Sequence, residues 1–396
     1  VCTPSRAAIM SGRYPFRLGI QNSVFSALRN NSLPLDLKIL PQHMKELGYA
    51  THMVGKWHLG FCRWEMTPTY RGFDSFYGMY NGHAHYFNHT GHFKGYDLVF
   101  NEQPLWTIDI LESHASVKDD TPLFIFLSYQ AVHGPLEVPE HYVTDFCAHV
   151  TDPTRRLHCA MTAAMDEGIG NITTTLQQLG YTDNLLIAFT SDNGGPVKLG
   201  SSNWPLRGSK ITLWEGGTRS VSFLHSKTLL KGSYTWDGLM HAVDWYPTLV
   251  RAAGDKKEIP GINGMDLWRE IRKNRRSKRT EFVYNIDDVK NTAALRWKGW
   301  KIIHNKPGSP DGWYNPPAGV TAPPEPKGKY PEYMLFDLES DPAEMHDLGE
   351  VKVDLRKTLA KKLRGYEAEM VPSVQGRKIE AGKPKNWGGA WTPGWC

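Results

Sequence analysis

The feature that most narrows the possible folds is a set of short apolar runs, each leading to polar side chains of the kind that do chemistry. Ala50 to His58 runs into Lys56-Trp57-His58. Leu123 to Tyr129 leads towards His133. Leu185 to Thr190 stops at Ser191-Asp192-Asn193-Gly194-Gly195. Runs this short are read as strands, the last two as buried ones. Before the third run, Met161, Met165, Ile169, Ile172, Leu176 and Leu179 recur at steps of three and four, which predicts an amphipathic helix closed by Gly180. Strands alternating with helices give an α/β class. Ligands in open α/β sheets collect at the carboxyl ends of the strands. That rule singles out Lys56 and His58, then His133, then Asp192 and Asn193. Arg207 to Lys210, in a glycine-containing loop, makes a fourth group.

The remaining pattern fills in the frame. Pro4 to Met10 reads as the first turns of a helix stopped by Gly12, and Leu40 to Leu47 as a helix closed by Gly48. Leu239, Val243, Leu249, Val250 and Ala253 predict another, ending at Gly254. Residues 60–120 read as loop-rich. Beyond about residue 280 the texture changes. Ala293 to His304 predicts a hairpin turning near Gly299, Pro307 to Pro331 a loop, Tyr333 to Leu338 a strand, and Val351 to Met370 a basic surface helix. We therefore expect a large α/β domain over 1–280 and a smaller α+β domain over 281–396. A chain of 396 residues has room for both. No run approaches the roughly 18 apolar residues of a membrane helix. A net charge of +5 does not point to nucleic acid and suits an anionic substrate.

Cys2 and Arg6 lie one turn apart on the first helix, where a positive field favours an anionic nucleophile or ligand. Asp192 and Asn193 are adjacent oxygen donors of the type that calcium or magnesium takes. Arg6, Lys56, Lys210 and two histidines on one cleft would bind a tetrahedral oxyanion, and sulfate and phosphate monoesters both satisfy that chemistry. With Cys2 reserved for chemistry, Cys62, Cys147, Cys159 and Cys396 form an even set able to make two disulfides. Glycosylation sequons at Asn30, Asn88 and Asn171, with that parity, point to the secretory pathway. Three features are set aside. His83, His85, His89 and His92 read as a polar loop near the cleft. Arg272 to Arg279 reads as a solvated basic loop. Trp297, Trp300, Trp313 and Tyr314 either stack on sugars or pack the small domain.

Cys2-Thr3-Pro4-Ser5-Arg6, continuing through Ser11-Gly12-Arg13, resembles the C-x-P-S-R signature of type I, formylglycine-dependent sulfatases. Gly55-Lys56-Trp57-His58-Leu59-Gly60 is similar to the family's second signature, and Ser191-Asp192-Asn193-Gly194-Gly195 to its metal loop. Leu206 to Lys210 with Trp214-Glu215-Gly216-Gly217 resembles its G-x-K-x-x-x-W-E-G-G stretch. Phe336-Asp337-Leu338 with Asp341-Pro342 and Glu344 resembles its C-terminal part. Asn203-Trp204-Pro205-Leu206-Arg207-Gly208, and Asn171-Ile172-Thr173 in its helix, look most like the branch of the family around arylsulfatase B. The resemblance implies an alkaline-phosphatase-like sulfatase fold, with a large mixed central sheet flanked by helices and a short antiparallel sheet in a C-terminal domain. It implies that a formylglycine-generating enzyme converts Cys2 to formylglycine and that Arg6 holds the hydrated aldehyde. Lys56 and Lys210 would neutralise sulfate oxygens, with His58 as base and His133 at the sulfate or leaving oxygen. Residue 2, Asp192 and Asn193 would bind calcium. Implied substrates are aryl sulfates and sulfated glycans, with N-acetylgalactosamine 4-sulfate in dermatan or chondroitin chains as the leading one. The implied location is lysosomal or extracellular. Two further readings stay open: a formylglycine-dependent phosphonate or phosphodiester hydrolase, and a non-catalytic glycan-binding relative. The family takes two more calcium ligands from an Asp-Asp pair on a strand upstream of the signature cysteine. Since this sequence starts at Val1, we expect an N-terminally truncated chain that binds calcium and folds less well than a longer parent.

Overall fold

The computed structural model describes residues 1–100, 106–117 and 119–396. In chain order its helices are α1 (Cys2–Ser11), α2 (Leu40–Glu46), α3 (Thr107–Val117), α4 (Glu140–Asp145), α5 (Pro153–Gln178), α6 (Glu215–Thr218), α7 (Trp245–Ala252), α8 (Trp268–Arg272) and α9 (Val353–Glu367). Its strands are β1 (Ala50–Lys56), β2 (Ser75–Met79), β3 (Val99–Phe100), β4 (Leu123–Ser128), β5 (Ile187–Thr190), β6 (Ser222–His225), β7 (Glu281–Asp287), β8 (Thr292–Trp297), β9 (Trp300–His304) and β10 (Tyr333–Asp337).

The central sheet is mixed, in the order β3-β2-β1-β4. β1 runs parallel to β2 and β4, and β3 closes one edge antiparallel. At its carboxyl end the three parallel strands draw unusually close. A Cβ on Gly55 would lie 2.0 Å from the Ser128 carbonyl oxygen, and one on Gly78 would lie 1.9 Å from the Gly55 oxygen. Only glycine permits that approach, and Gly55 also takes a φ of +104°, open to few other residues. The squeeze brings Lys56 and Ser128 side by side at the sheet's end. The small sheet is an antiparallel meander, β10-β9-β8-β7, with the expected hairpin at Gly299. β5 and β6 form a separate antiparallel ladder.

Two apolar cores meet at α1. Ala7 and Met10 pack with Leu40, Met53, Trp57, Phe73 and Phe76 under the central sheet. Ala8 packs with Tyr14, Phe16, Val243, Val283, Leu295 and Leu335, and with Leu359 and Leu363 of α9. Nine of the ten α1 residues are buried, which places the helix in the interior rather than on a surface. Gly12 ends it in the left-handed conformation, at φ 65°. The final residues turn back onto the first core. Val371 N–H donates to the Phe16 carbonyl and Ile379 N–H to that of Leu28, each at 2.9 Å. Trp391 and Trp395 join the first core. A Cys62–Cys396 disulfide pins the tail, and the second disulfide joins Cys147 to Cys159. Both belong to the even set expected to pair.

Some expectations need correction. The runs at 123–128 and 187–190 are strands but mostly half-buried, because among the described residues each pairs on one side only. The loop-rich stretch at 60–120 holds β2, β3 and α3. The helix expected from residue 239 begins at Trp245. Asp244 accepts the His241 N–H at 2.8 Å and holds a separate tight turn before it. The basic run is not wholly solvated: Arg279 is buried and pairs with Asp244 at 2.5 Å. Trp313 is buried and donates to the Ala343 carbonyl, while Trp297 and Trp300 pack against the second core. These three tryptophans serve packing.

Candidate active site

Five chain segments converge on one open cavity, and each side chain is delivered by the local structure of its segment. Cys2 opens α1, where unpaired N–H groups and the helix dipole favour negative charge. Its side chain is buried, at 3% exposure, and is the one free cysteine. Thr3 locks this end down: its hydroxyl donates to the His58 carbonyl at 3.0 Å and accepts the Phe25 N–H at 3.1 Å.

Arg6, one turn on, does not face open solvent. One terminal nitrogen donates to the Lys56 carbonyl at 2.7 Å and to the Ser128 hydroxyl at 2.5 Å. Its Nε lies 3.6 Å from Asp192 Oδ2. Ser128 in turn donates to the Lys56 carbonyl at 2.8 Å. Arg6 therefore stitches the ends of β1 and β4 to the Asp192 loop. Lys56 ends β1, fully enclosed. Burial first, then the Arg6 charge, lowers its ammonium pKa to about 8, against the pull of Cys2 and Asp192.

His58 follows in an uncommon backbone state for a non-glycine residue, φ 58°. Its ring is fixed from two sides. Nε2 lies 3.1 Å from the Phe25 carbonyl, and Gly82 packs so tightly that a Cβ there would sit 2.6 Å from the ring carbon Cε1. Burial lowers its pKa to about 4, so the imidazole is neutral at ordinary pH. His133 reaches the same cavity, with Nδ1 2.8 Å from the Gly134 carbonyl.

Lys210 comes from a loop shaped by close backbone packing. A Cβ on Gly194 would lie 1.9 Å from the Gly216 oxygen, so the 191–195 and 207–217 segments touch along their backbones. Asn203 clamps the pair: it accepts the Gly195 N–H and donates to the Gly195 carbonyl, both at 2.9 Å, and donates to the Gly208 carbonyl at 3.2 Å. Nζ of Lys210 then stands 3.4 Å from Cys2 Sγ. Below this loop, buried Lys301 pairs with Glu215 at 3.0 Å and Glu344 at 2.7 Å, tying the small sheet to the Trp214-Glu215-Gly216-Gly217 turn.

Burial opposes ionisation of Cys2. Hydrogen bonds with His133 and His58, and the charges of Lys56 and Lys210, more than offset it and hold the thiol far below its ordinary range. The site thus stabilises an anion at the residue 2 side chain and, beside it, a bound oxyanion. Asp192 and Asn193 lie on the same wall. Asn193 Oδ1 is buried with no hydrogen-bond partner, and its amide donates to the Gly194 carbonyl. An orphaned amide oxygen next to a carboxylate is the donor chemistry of a hard cation. Calcium takes about six to eight oxygens, so these two are a partial set. Among the described residues no group of three or more His, Cys, Asp or Glu is arranged to hold a metal.

Cys2, His58, His133, Asp192, Asn193 and Lys210 all line this cavity, while Arg6 and Lys56 brace it from behind. Arg207 does not join them. It is buried, 3.7 Å over the Trp214 ring and 2.7 Å from Asp311, and holds the loop together. Ser128 escaped the sequence reading, since a serine ending an apolar run looks ordinary. His83 and His92 also line the cavity, whereas His85 pairs with Glu137 at 2.6 Å and His89 packs on Tyr96.

Comparisons with known proteins point the same way. The family model described as Sulfatase matches residues 1–255. The chain is 37% identical to arylsulfatase J of Mus musculus, over 99% of this chain and 72% of that protein. It is 28% identical to N-acetylgalactosamine-6-sulfatase of Mus musculus, over 72% of this chain and 59% of that protein, so it spans about three fifths of this relative. The crystal structure of Ps i-CgsB in complex with k-i-k-neocarrahexaose superposes with a TM-score of 0.79 at 25% identity, covering 97% of this chain and 86% of that one. The fold, the cationic pocket around Cys2 and these likenesses agree: the chain belongs to the sulfatase family, whose members are sulfuric ester hydrolases.

Proposed function

We propose that this protein hydrolyses sulfate monoesters of glycans, with formylglycine made from Cys2 by a formylglycine-generating enzyme as its reactive group. The observation that carries the reading is the placement of Cys2 at a helix N-terminus, against Lys210 and between two imidazoles. The Cys2 sulfur stands in for the oxygens that a hydrated aldehyde would place there. That group supplies an oxygen to attack sulfur and a second hydroxyl whose deprotonation expels sulfate, which a serine could not do. The other roles fall to the chain's own side chains. Lys56 and Lys210 balance negative charge on the sulfate oxygens as it develops. His58, neutral and held by Phe25 and Gly82, takes the proton from residue 2. His133 faces the sulfate or the leaving oxygen. Arg6 holds the residue 2 hydroxyls from below while tied to Lys56 and Ser128. Asp192 and Asn193, with the residue 2 oxygens, would hold part of a calcium coordination sphere that further neutralises the sulfate.

The leading substrate is a sulfated N-acetylgalactosamine, with N-acetylgalactosamine 4-sulfate in dermatan or chondroitin chains first among them. A relative named N-acetylgalactosamine-6-sulfatase and a structural neighbour bound to a neocarrahexaose support a sugar substrate. The cavity, about 1720 Å³, exceeds the roughly 300–1,000 Å³ of ordinary small-molecule sites and has room for more than the sulfate. Passage through the secretory pathway to a lysosomal or extracellular site fits two disulfides and sequons at Asn88 and Asn171, both exposed, and Asn30, half-buried. No helix among the described residues is long and apolar enough to cross a membrane. Relative rates on matched sulfate and phosphate monoesters test the reaction class. Sulfate release should dominate, and preferred release of phosphate would replace this reading with the phosphohydrolase one.

A further inference from the structure

Beyond the sulfate pocket, the cavity wall carries two imidazoles, those of His83 and His92, that the reaction outlined above does not use. His83 stacks on His133 with centroids 5.5 Å apart and planes 18° apart, and His92 meets His83 edge-on at 4.8 Å. All three line the cavity that holds Cys2 and Lys210. The loop carrying His83 and His92 is closed at its base. Asp97 accepts the N–H groups of Tyr80 and Asn81 at 2.9 and 3.0 Å, and His85 is tied to Glu137. Among the described residues, the ring nitrogens of His83 and His92 have no hydrogen-bond partner. His83 is half-buried, and His92 is exposed at the mouth of the cavity.

We infer that His83 and His92 form a sugar subsite that binds hydroxyl groups of the leaving alcohol, next to the ester held under His133. This rests on the sulfatase reading for the identity of the ester, while the ring geometry stands apart from it. Burial, with the nearby His92, His133, Lys56 and His58, lowers the His83 pKa to about 4, and burial alone lowers that of His92. Neutral imidazoles each offer one donor and one acceptor, which matches a hydroxyl. A second anionic group would need donors only. Ring nitrogens covered by a ligand that cannot pair with them lose their hydrogen bonds to water, so the subsite favours sugars over flat aryl sulfates.

The test uses the full chain carrying formylglycine, with His83→Phe and His92→Phe variants that keep a ring and remove its nitrogens. kcat/KM is measured on N-acetylgalactosamine 4-sulfate and on an aryl sulfate. The ratio of sugar to aryl efficiency should fall about tenfold in each variant. Equal losses on both substrates would mean that the rings merely support His133, and would overturn the inference. A second measurement does not depend on turnover. In Cys2→Ala, labelling by diethyl pyrocarbonate is mapped by mass spectrometry with and without the sulfated sugar. Protection of His83 and His92 supports the subsite, and unaltered labelling overturns it. Protection in a protein whose Cys2 form releases no sulfate from either ester would sink the sulfatase reading and leave the subsite standing.

Discussion

Lys210 Nζ lies 3.4 Å from Cys2 Sγ, although 208 positions separate them in the chain. The contact exists because glycines let the loop that carries Lys210 press against the 191–195 turn. On the proposed function, Lys210→Ala removes one of the two ammonium groups that balance the developing charge. Steady-state kinetics on an aryl sulfate should show kcat/KM reduced about 10²–10³-fold. Thermal stability should change little, because Lys210 sits on the cavity wall and not in a core. A loss below threefold would remove Lys210 from the charge-balancing role.

Gly55→Ala probes the closeness of the strands behind the site. The new Cβ would meet the Ser128 carbonyl at 2.0 Å, on a residue at φ +104°. Both the clash and the backbone strain involve main chain that cannot turn aside. Denaturant unfolding should show a loss of about 3 kcal/mol or more. A change under 1 kcal/mol would mean that the strands are further apart than described.

Asp97 gives the fold a pH dependence of defined sign. Burial raises its carboxyl from 3.8 to about 6, against the hydrogen bonds from Tyr80 and Asn81. A raised folded pKa favours the protonated native state. Its contribution to stability is complete below about 4 and is lost as pH rises to about 6, roughly 2–3 kcal/mol in all. Asp97→Asn should flatten this part of the stability-versus-pH curve, read by denaturant unfolding at fixed pH steps. An equal slope in the variant would assign it to other groups.

Cys396→Ser frees a tail that otherwise closes a very long loop. The Cys62–Cys396 link spans 334 positions, against 12 for Cys147–Cys159. Loop-closure entropy predicts a loss of about 2–5 kcal/mol for the long one, model-dependent, and less for the short one. Thermal unfolding of Cys396→Ser and Cys159→Ser should rank them in that order. Non-reducing peptide maps should show both links in the parent.

Much of this architecture was readable from local signals. Gly12 stops α1 as its position suggested, and the polar residues after β1 and β5 do lie at strand ends around one cavity. What escaped depends on contacts far apart in sequence. Ser128 matters only because β4 lies beside β1, and His83 only because its loop folds over His133. Arg279 looked like one more solvated charge in a basic run, yet its partner Asp244 is buried with it. β7 does not alternate cleanly, because its pairing with β8 shifts register between Val283 and Asn285, and only the folded meander supplies that partner. The return of Trp391 and Trp395 to the first core has no local signature.

The central claim concerns the side chain at position 2. It is tested most directly by mass spectrometry of the tryptic peptide containing residue 2, from protein made in a eukaryotic secretory host, alongside sulfate release from an aryl ester. The account predicts an aldehyde at that position, in proportion to activity, and no sulfate release from Cys2→Ala. A thiol retained in every molecule of an active preparation, or full activity in Cys2→Ala, would contradict it.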